Sequence, residues 1–462
     1  MPVDGLQASL ERMRRAGTAD HAMASFARYY ERLVAGDRGL LAEHDIVPVE
    51  SIVDVGDVAD ADRALDRALD RVAIVRLNGG LGTTMAAGGG KGRLDLKHGL
   101  SFLELAAHQV AELRERTSSP LPLLLMNSAA TGPAAMRART GRPSLGGGLE
   151  EFWQSMVPRL GVDDLAPVDW PRDPTLEWAP PGHGEVYAAL SASGRLRALL
   201  DDGYEYACIS SIDNVASVVD GRIVSVMQQE SIPFLMEVAD RTYADRKGGH
   251  LARRLDGDLV LRELAQAPTG DRAAFQDIER HRYFNTNTIW VDLRELDALL
   301  TSTDLVLDLP LIANRKVVDP YDDSSPEVIQ IESAMGAAIS VFPGAAARRV
   351  ERRGFNPVKS TAELLAVRSD AYGLTDGYRL ELVPGRNGRA PIIELDPSYF
   401  GRQRDFDARF PAGPPSLIEC DRLVVRGDVV FGGGVVIRGT VTVEHDGPGQ
   451  RRIASGSVLS DA

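Results

Sequence analysis

The sequence predicts an α/β protein. A Rossmann-like, mixed and mostly parallel sheet forms its main domain, and a parallel β-helix follows it. Three observations predict this. The run "VAIVRL" (72–77) leads straight into a glycine loop, then a helical segment at 101–117, then a second apolar run, "LPLLLMN" (121–127). That is the strand–loop–helix–strand order of a parallel sheet. Further apolar runs with strand character stand at 206–212, 234–239 and 288–293, with amphipathic segments such as 185–203 between them. After residue 375 the texture changes. "CDRLVVRGDVVFGGGVVIRGTVTVEH" (420–445) is a series of short β-branched runs closed by glycine, spaced like the rungs of a parallel β-helix, with a meandering antiparallel sheet as the alternative.

The elements before the first strand are helical. "LQASLERMRRA" and "ADHAMASFARYYERLVAG" carry apolar residues at helical spacing, and Gly36 is a natural stop. Residues 45–70 read as a connector containing a short polar helix. A chain of 462 residues exceeds one compact core and predicts two or three domains. These are a helical segment (1–50), a central α/β domain (51–375) and a C-terminal β-helix domain (376–462).

Composition excludes several function classes. A net charge of -14 opposes a general affinity for nucleic acid or anionic membranes, though it permits a local phosphate site. The two cysteines, Cys208 and Cys420, form no zinc spacing and no disulfide framework, which fits a reducing cytoplasm. The first residues lack the apolar stretch of a signal peptide, and no apolar run is long enough to span a bilayer. The chain has only five lysines, Lys91, Lys97, Lys247, Lys316 and Lys359, and its other 47 basic residues are arginine. Coding bias explains most of that imbalance. Yet a compact ammonium fits pockets that a planar guanidinium does not, so the surviving lysines are candidates for function.

The glycine loop, "LNGGLGTTMAAGGGKGR" (77–93), matches neither common phosphate motif. A Walker A loop needs Gly where Met85 stands and a hydroxyl where Gly92 stands; a dinucleotide fingerprint needs its third glycine at Met85. The loop nonetheless follows a strand at the carboxyl edge of a parallel sheet, where open α/β folds bind ligands. Glycines admit an anion close to backbone N–H groups, and Lys91 adds a mobile cation. A triphosphate is the natural guest.

The loop and the segments after it resemble the eukaryotic-type UTP–glucose-1-phosphate uridylyltransferases (UDP-glucose pyrophosphorylases). The resemblance rests on "LNGGLGTTM" with a lysine six residues later, "LLLMNSAAT", "FWQSMVPRL", "WAPPGHGEVYAAL", "SSIDNVASVVD", "MEVADRTYADRKGGHL", "FNTNTIW", "VIQIESAMGAAI", "FNPVKSTAELL" and the 423–443 tail. It covers nearly everything after residue 70. It implies a nucleotide-diphospho-sugar transferase fold with a C-terminal left-handed β-helix. It also implies a reaction of UTP with a sugar 1-phosphate, by default glucose 1-phosphate, that gives the UDP-sugar and pyrophosphate with Mg²⁺. Assembly is then a monomer or a homo-oligomer through the C-terminal domain.

By that resemblance, Lys91 touches the nucleotide phosphates, Lys359 stabilises charge between the two substrates' phosphates, and Asp213 holds the metal. Backbone groups of Leu77, Asn78, Gly79 and Gly80, with Met126 and Gln154, recognise the base; a glutamine can donate and accept at once, as an imide edge requires. His183 and Gly184 lie beside phosphate and sugar. Asn285 and Asn287, two apart on a strand and so on one side, hold sugar hydroxyls, with Asn214, Glu263 and Glu332 as further substrate contacts. Lys247 supports the site, Lys316 falls in a family motif without a defined role, and Lys97, which matches no family lysine, is expected at the surface.

The chain departs from the family pattern at Gly90 and Gly92 around the loop lysine, and at Ser211, Ala216, His250 and Thr288. Several of these positions are expected where the sugar binds. A site built to hydrogen-bond one hydroxyl discriminates strongly, so the departures leave open a second reading: another NTP (GTP or ATP), or a modified sugar or cyclitol 1-phosphate. A catalytically silent binding protein on the same fold is the third.

Overall fold

A computed structural model describes residues 2–57, 66–79, 90–129, 149–217, 219–320 and 322–461. Its centre is a mixed sheet. From one edge the strands run Ile46–Pro48, His250–Arg254, Tyr283–Asp292, Tyr206–Ser211, Val72–Leu77, Leu123–Asn127 and Leu149–Trp153. The last four lie parallel, in the register Tyr206 to Val72, Ile74 to Leu123 and Leu123 to Leu149. Tyr283–Asp292 pairs antiparallel with Tyr206–Ser211 and with Phe234–Asp240, and the latter pairs parallel with Ala346–Arg349.

Alternation along Val72–Leu77 builds two cores at once, as the period of two requires. Val72 and Ile74 face one apolar cluster, while Ala73, Val75 and Leu77 face another. The first is covered by the helix Phe102–Thr117 through Phe102, Leu105 and Val110, and continues through Val358 and Leu364 to Leu423 and Phe431 of the C-terminal part. The second is covered by the helices Val186–Ala192 and Leu293–Ser302. Each fully buried side chain such as Ile74 stabilises the fold by about 1.5–3 kcal/mol. A capping box explains why the Phe102–Thr117 helix starts where it does: the Ser101 hydroxyl accepts from the Glu104 amide, and the Glu104 carboxylate accepts from the Ser101 amide.

The N-terminal helices Pro2–Arg15 and Asp20–Val34 pack Met13, Phe26, Tyr30 and Leu33 onto Val157, Leu160, Ile329 and Ile331. These lie in and around a small antiparallel sheet of Ile312–Val317, Glu327–Glu332 and Leu160–Gly161.

In the C-terminal part, Ile392–Leu395, Cys420–Gly427 and Gly439–His445 form a parallel ladder. Val429–Phe431 pairs in parallel with Arg451–Ile453, and Val436–Ile437 with Val458–Leu459. Parallel pairing of these short strands is what the glycine-punctuated texture predicts. Gly427 marks a corner: it has φ +80, and a Cβ there would stand 1.9 Å from the His445 carbonyl oxygen. Both cysteines are buried and unpaired, Cys208 in the central sheet and Cys420 in the C-terminal ladder. No helix among the described residues is long and apolar enough to cross a membrane.

Candidate functional site

The parallel strands Val72–Leu77, Leu123–Asn127 and Tyr206–Ser211 end at one cleft of about 640 Å³, whose wall includes Leu77, Met126 and Ser211. That is the carboxyl edge where the glycine loop was expected to act. Residues 80–89 of the loop, including Gly80, lie outside the described residues; Asn78, Gly79 and Lys91 are described and line the cleft.

One side of the cleft is a closed net of hydrogen bonds. The Asn78 amide donates to the Met126 carbonyl (2.8 Å), and the Asn78 side chain donates to Asn127 Oδ1 (2.8 Å). The Gln154 amide donates to the Asn127 carbonyl (2.6 Å), and Gln154 Nε2 donates to the Gly182 carbonyl (2.5 Å). Gly79 is dictated by this packing, since a Cβ there would fall 2.3 Å from Gln154 Oε1. Gly182 has φ +84 and lies so close to Ser333 that a Cβ would sit 2.3 Å from the Ser333 carbonyl oxygen. The Gly184 amide donates to that same carbonyl at 2.9 Å, which locks the Pro-Pro-Gly-His-Gly turn in place. His183 Nδ1 accepts from the Met335 amide at 2.9 Å, so the ring's own proton sits on Nε2. Burial, with Lys359 adding to it and Asp213 opposing, lowers its pKa to about 4. The imidazole is therefore a neutral donor at physiological pH.

The other side carries the charge. Asp213 follows the strand Tyr206–Ser211 and is buried, and Lys91 Nζ donates to its Oδ2 at 2.7 Å. Burial alone would raise the Asp213 pKa, but Lys91 and Lys359 outweigh it and hold the carboxylate below its ordinary value. Lys359 lies on the cleft wall with its side chain exposed, and among the described residues its ammonium meets no acceptor. Its backbone is fixed: the Lys359 amide donates to Glu363 Oε2 (2.6 Å), and the Val358 amide donates to the Asp213 carbonyl (3.1 Å).

Other predicted residues fall into three groups. Asn287 and Glu332 line the cleft. Asn285 is buried behind Asn287, and the Asn285 side-chain amide donates to Asn287 Oδ1 at 3.0 Å. Simple strand alternation does not place them, because Asn287 is left-handed at φ 55, an excursion asparagine tolerates. Glu263 packs against Gly249, whose Cβ would fall 2.6 Å from its carboxyl carbon. Burial raises the Glu263 pKa, Lys359 opposes it, and Glu332 adds to it. Asn214 lies off the cleft wall: its Oδ1 accepts from the Asn356 amide (3.0 Å), so it secures the segment that presents Lys359. Lys247 is exposed and also lies off the wall.

Lys97 overturns the surface expectation. It is 7% exposed, and its ammonium donates to the carbonyls of Val367 (3.1 Å), Arg368 (3.3 Å) and Ser369. Those acceptors lie far along the chain, so no local pattern announces them. Sequence reasoning also missed Arg159 and Gln330, both buried in the cleft wall, and assigned no role to Lys316, whose Nζ donates to Glu332 Oε1 at 3.2 Å. Arg159 follows the "SMVP" run that carried the resemblance, which was the available signal.

The family departures divide between the cleft, where Ser211 stands on the wall and Gly90 and Gly92 flank Lys91, and the core around it. His250 is buried and stacked on His281 with ring centroids 3.8 Å apart. The Thr288 hydroxyl meets Ser217 at 3.3 Å, and Ala216 is buried outside the cleft wall. Gly92 is required locally, because its amide donates to Asn78 Oδ1 and a Cβ would fall 2.6 Å from that atom. Of these positions only Ser211 stands on the cleft wall.

A glycine-lined wall facing two lysines and a carboxylate, at the ends of parallel strands, is the arrangement of an α/β nucleotidyltransferase. The profile of the family described as UTP–glucose-1-phosphate uridylyltransferase matches residues 23–438. The enzyme of that name from Hordeum vulgare is 34% identical over 99% of this chain and 96% of its own length; the one from Solanum tuberosum is 38% identical over 86% and 81%. A UDP-glucose phosphorylase structure from Trypanosoma brucei superposes with a TM-score of 0.93 at 39% identity, over 99% of this chain and 98% of that one. A mutant UDP-glucose pyrophosphorylase from Leishmania major, in complex with UDP-glucose, superposes with a TM-score of 0.91 at 38% identity, over 99% and 98%. The chain belongs to the UTP–glucose-1-phosphate uridylyltransferase family.

Proposed function

We propose that this protein joins UTP and glucose 1-phosphate to give UDP-glucose and pyrophosphate. The observation that carries the reading is the convergence of Lys91, Asp213 and Lys359 on the cleft wall that also holds Gly79 and Gln154. In the reaction a phosphate oxygen of glucose 1-phosphate attacks the α-phosphorus of UTP. The bond from that phosphorus to the bridging oxygen breaks, and pyrophosphate leaves. Both reactants are anions, so the protein's task is alignment and charge compensation rather than strong base chemistry.

Each residue has a part in that task. Gln154 and the backbone at 77–79 receive the uracil, with Gln154 Oε1 and its second Nε2 proton available to the imide. Lys91 neutralises the nucleotide phosphates and Lys359 the charge that develops between the substrates. His183 donates from Nε2. Asn287, backed by Asn285, and Glu332, tied to Lys316, offer polar groups to the sugar. Asp213 fits Mg²⁺ arriving with the nucleotide, because Mg²⁺ takes one or two carboxylates plus phosphate oxygens and this carboxylate is held ionised in the cleft. Among the described residues no group of three or more acidic, histidine or cysteine side chains could hold a metal unaided. Bound there, the ion would screen the triphosphate.

Glucose 1-phosphate stays the leading acceptor: Ala216, His250 and Thr288 stand off the cleft wall, whereas Ser211 lies on it and Gly92 is bonded to Asn78 of the wall, so the acceptor panel decides between glucose 1-phosphate and a modified sugar or cyclitol phosphate. The parallel C-terminal coils and their glycine corners support a left-handed β-helix there, and its exposed coils are the surface we assign to any self-association. Two buried, unpaired thiols fit a reducing cytoplasm. The test is pyrophosphate release from purified protein with Mg²⁺, four NTPs and a panel of sugar and cyclitol 1-phosphates. UTP with glucose 1-phosphate is expected to be the best pair. Faster turnover with another acceptor would replace the substrate, and no release with any pair would sink the enzymatic reading.

A further inference from the structure

Lys91 and Lys359 are far apart in sequence, yet the chemistry proposed above needs them in register. Two contacts join their segments at the cleft: Lys91 to Asp213 (2.7 Å), and the Val358 amide to the Asp213 carbonyl (3.1 Å). A second junction lies away from the substrates. The turn Lys91–Arg93 runs into the strand Asp95–Lys97. Lys359 is followed by Ser360, the N-cap of the helix Thr361–Arg368. Strand and helix are fastened together at the far end of that helix. The Lys97 ammonium donates to the carbonyls of Val367, Arg368 and Ser369, and the Arg368 guanidinium donates to the Asp95 carbonyl through Nε (3.0 Å) and NH2 (2.6 Å).

This geometry suits lysine. The last carbonyls of a helix lack intrahelical partners and carry the negative end of its dipole. A tetrahedral ammonium has three donors, and here three convergent carbonyls receive them. A planar guanidinium presents its donors in a fixed fork on a wider head. Lys97 meets this triad with a compact ammonium, in a chain whose other basic residues are overwhelmingly arginine. Among the described residues no carboxylate is in contact with the buried ammonium, Asp370 acting on it from a distance, so it depends on the carbonyl triad.

We propose that Lys97 is a positioning residue. By gripping the end of the Thr361–Arg368 helix it closes a mechanical circuit, Lys91–Asp213–Lys359–helix–Lys97, that sets the separation of the two lysines acting on the phosphates. The role rests on the function proposed above.

The test compares Lys97→Met with a matched control, Arg386→Met. Arg386 is also a buried cation donating to backbone carbonyls, of Leu417 (3.3 Å), Ile418 (3.0 Å) and Cys420 (2.5 Å), but in the C-terminal part. Both variants should lose thermal stability. Only Lys97→Met should lower kcat, by about tenfold to a hundredfold, with KM for UTP changed by no more than about threefold, as misplacement of a catalytic group requires. Lys97→Arg should not restore it. On a Lys359→Ala background, Lys97→Met should cost little more, because its effect passes through Lys359. Unchanged kcat, equal kcat losses in the two Met variants, or full additivity with Lys359→Ala would overturn the proposal. Should wild-type protein release no pyrophosphate, the functional reading fails by itself. Amide exchange then decides the circuit: Lys97→Met should speed exchange at Val358, Lys359 and Ser360, and unchanged exchange there would overturn it.

Discussion

The two sides of the cleft are built on opposite plans. On the wall of Asn78 and Gln154, which the proposed function gives to the base, most groups are tied within the protein: Asn78 and the Gly182–Gly184 turn are held by short hydrogen bonds, glycines stand where side chains would collide, and Gln154 keeps Oε1 and one Nε2 proton open. On the side of Lys91 and Lys359, cations outnumber their partners among the described residues. Lys91 is paired with Asp213, while Lys359 waits without an acceptor among the described residues. Under the proposed function, the difference separates binding from catalysis. A rigid, satisfied surface recognises a fixed shape at low entropic cost, and unspent charge is available to charge that appears only during reaction.

Lys359→Ala attacks the contrast most directly. It should lower kcat by about 10²–10³-fold while equilibrium UTP binding changes by less than about fivefold. If binding fell as far as kcat, Lys359 would be a ground-state contact and the division between the sides would collapse. Steady-state kinetics beside calorimetry distinguishes the outcomes. Gly79→Ala attacks the base side. Its Cβ would displace Gln154, so KM for UTP should rise about tenfold with a smaller change in kcat. A larger loss in kcat than in KM would show that this wall also governs the reacting phosphates.

A third experiment uses pH within the rigid turn. Folding holds the His183 pKa near 4 against 6.5 for a free imidazole, mainly by burial. Its contribution to stability is complete above pH 6.5 and is lost as pH falls towards 4. Glu185 runs the other way: burial raises it from 4.5 to about 7, opposed by hydrogen bonds from Ser155, so its contribution is complete below pH 4.5 and is lost as pH rises through 7. Relative to wild type, the Tm of His183→Gln should improve as pH falls, and that of Glu185→Gln should improve as pH rises. Parallel trends in thermal melts would contradict these assignments. The smallest effect belongs to Lys247→Ala. With an exposed side chain off the cleft wall, it should leave kcat and KM within about twofold of wild type.

Much of this was legible in the sequence, for identifiable reasons. The strands at 72–77, 121–127 and 206–212 announced themselves because both faces of a central parallel strand are buried and read as continuous apolar runs. The glycine loop announced a close approach, although the atom that forbids a side chain at Gly79 belongs to Gln154, which no local pattern names. What was not legible depended on distant backbone. Lys97 reads as an ordinary surface lysine until the helix end at 367–369 is brought against it. Asn214 reads as a substrate contact until the amide of Asn356 is found to occupy it. His250 and Thr288 looked like altered substrate contacts because motif spacing says nothing of which face a residue takes. The left-handed backbone at Asn287 shows how far a strand's real geometry departs from simple alternation.

The two cysteines bear on how the molecule comes apart. Burial is the chief cause that pushes the Cys208 thiol up to about 12 and the Cys420 thiol to about 11, so neither is a ready nucleophile in the folded chain. One lies at the centre of the main sheet and the other in the C-terminal ladder. The protein thus carries its own pair of site-resolved opening reporters. Alkylation rates at the two thiols would reveal whether sheet and coils open together or one after the other, without a label being introduced.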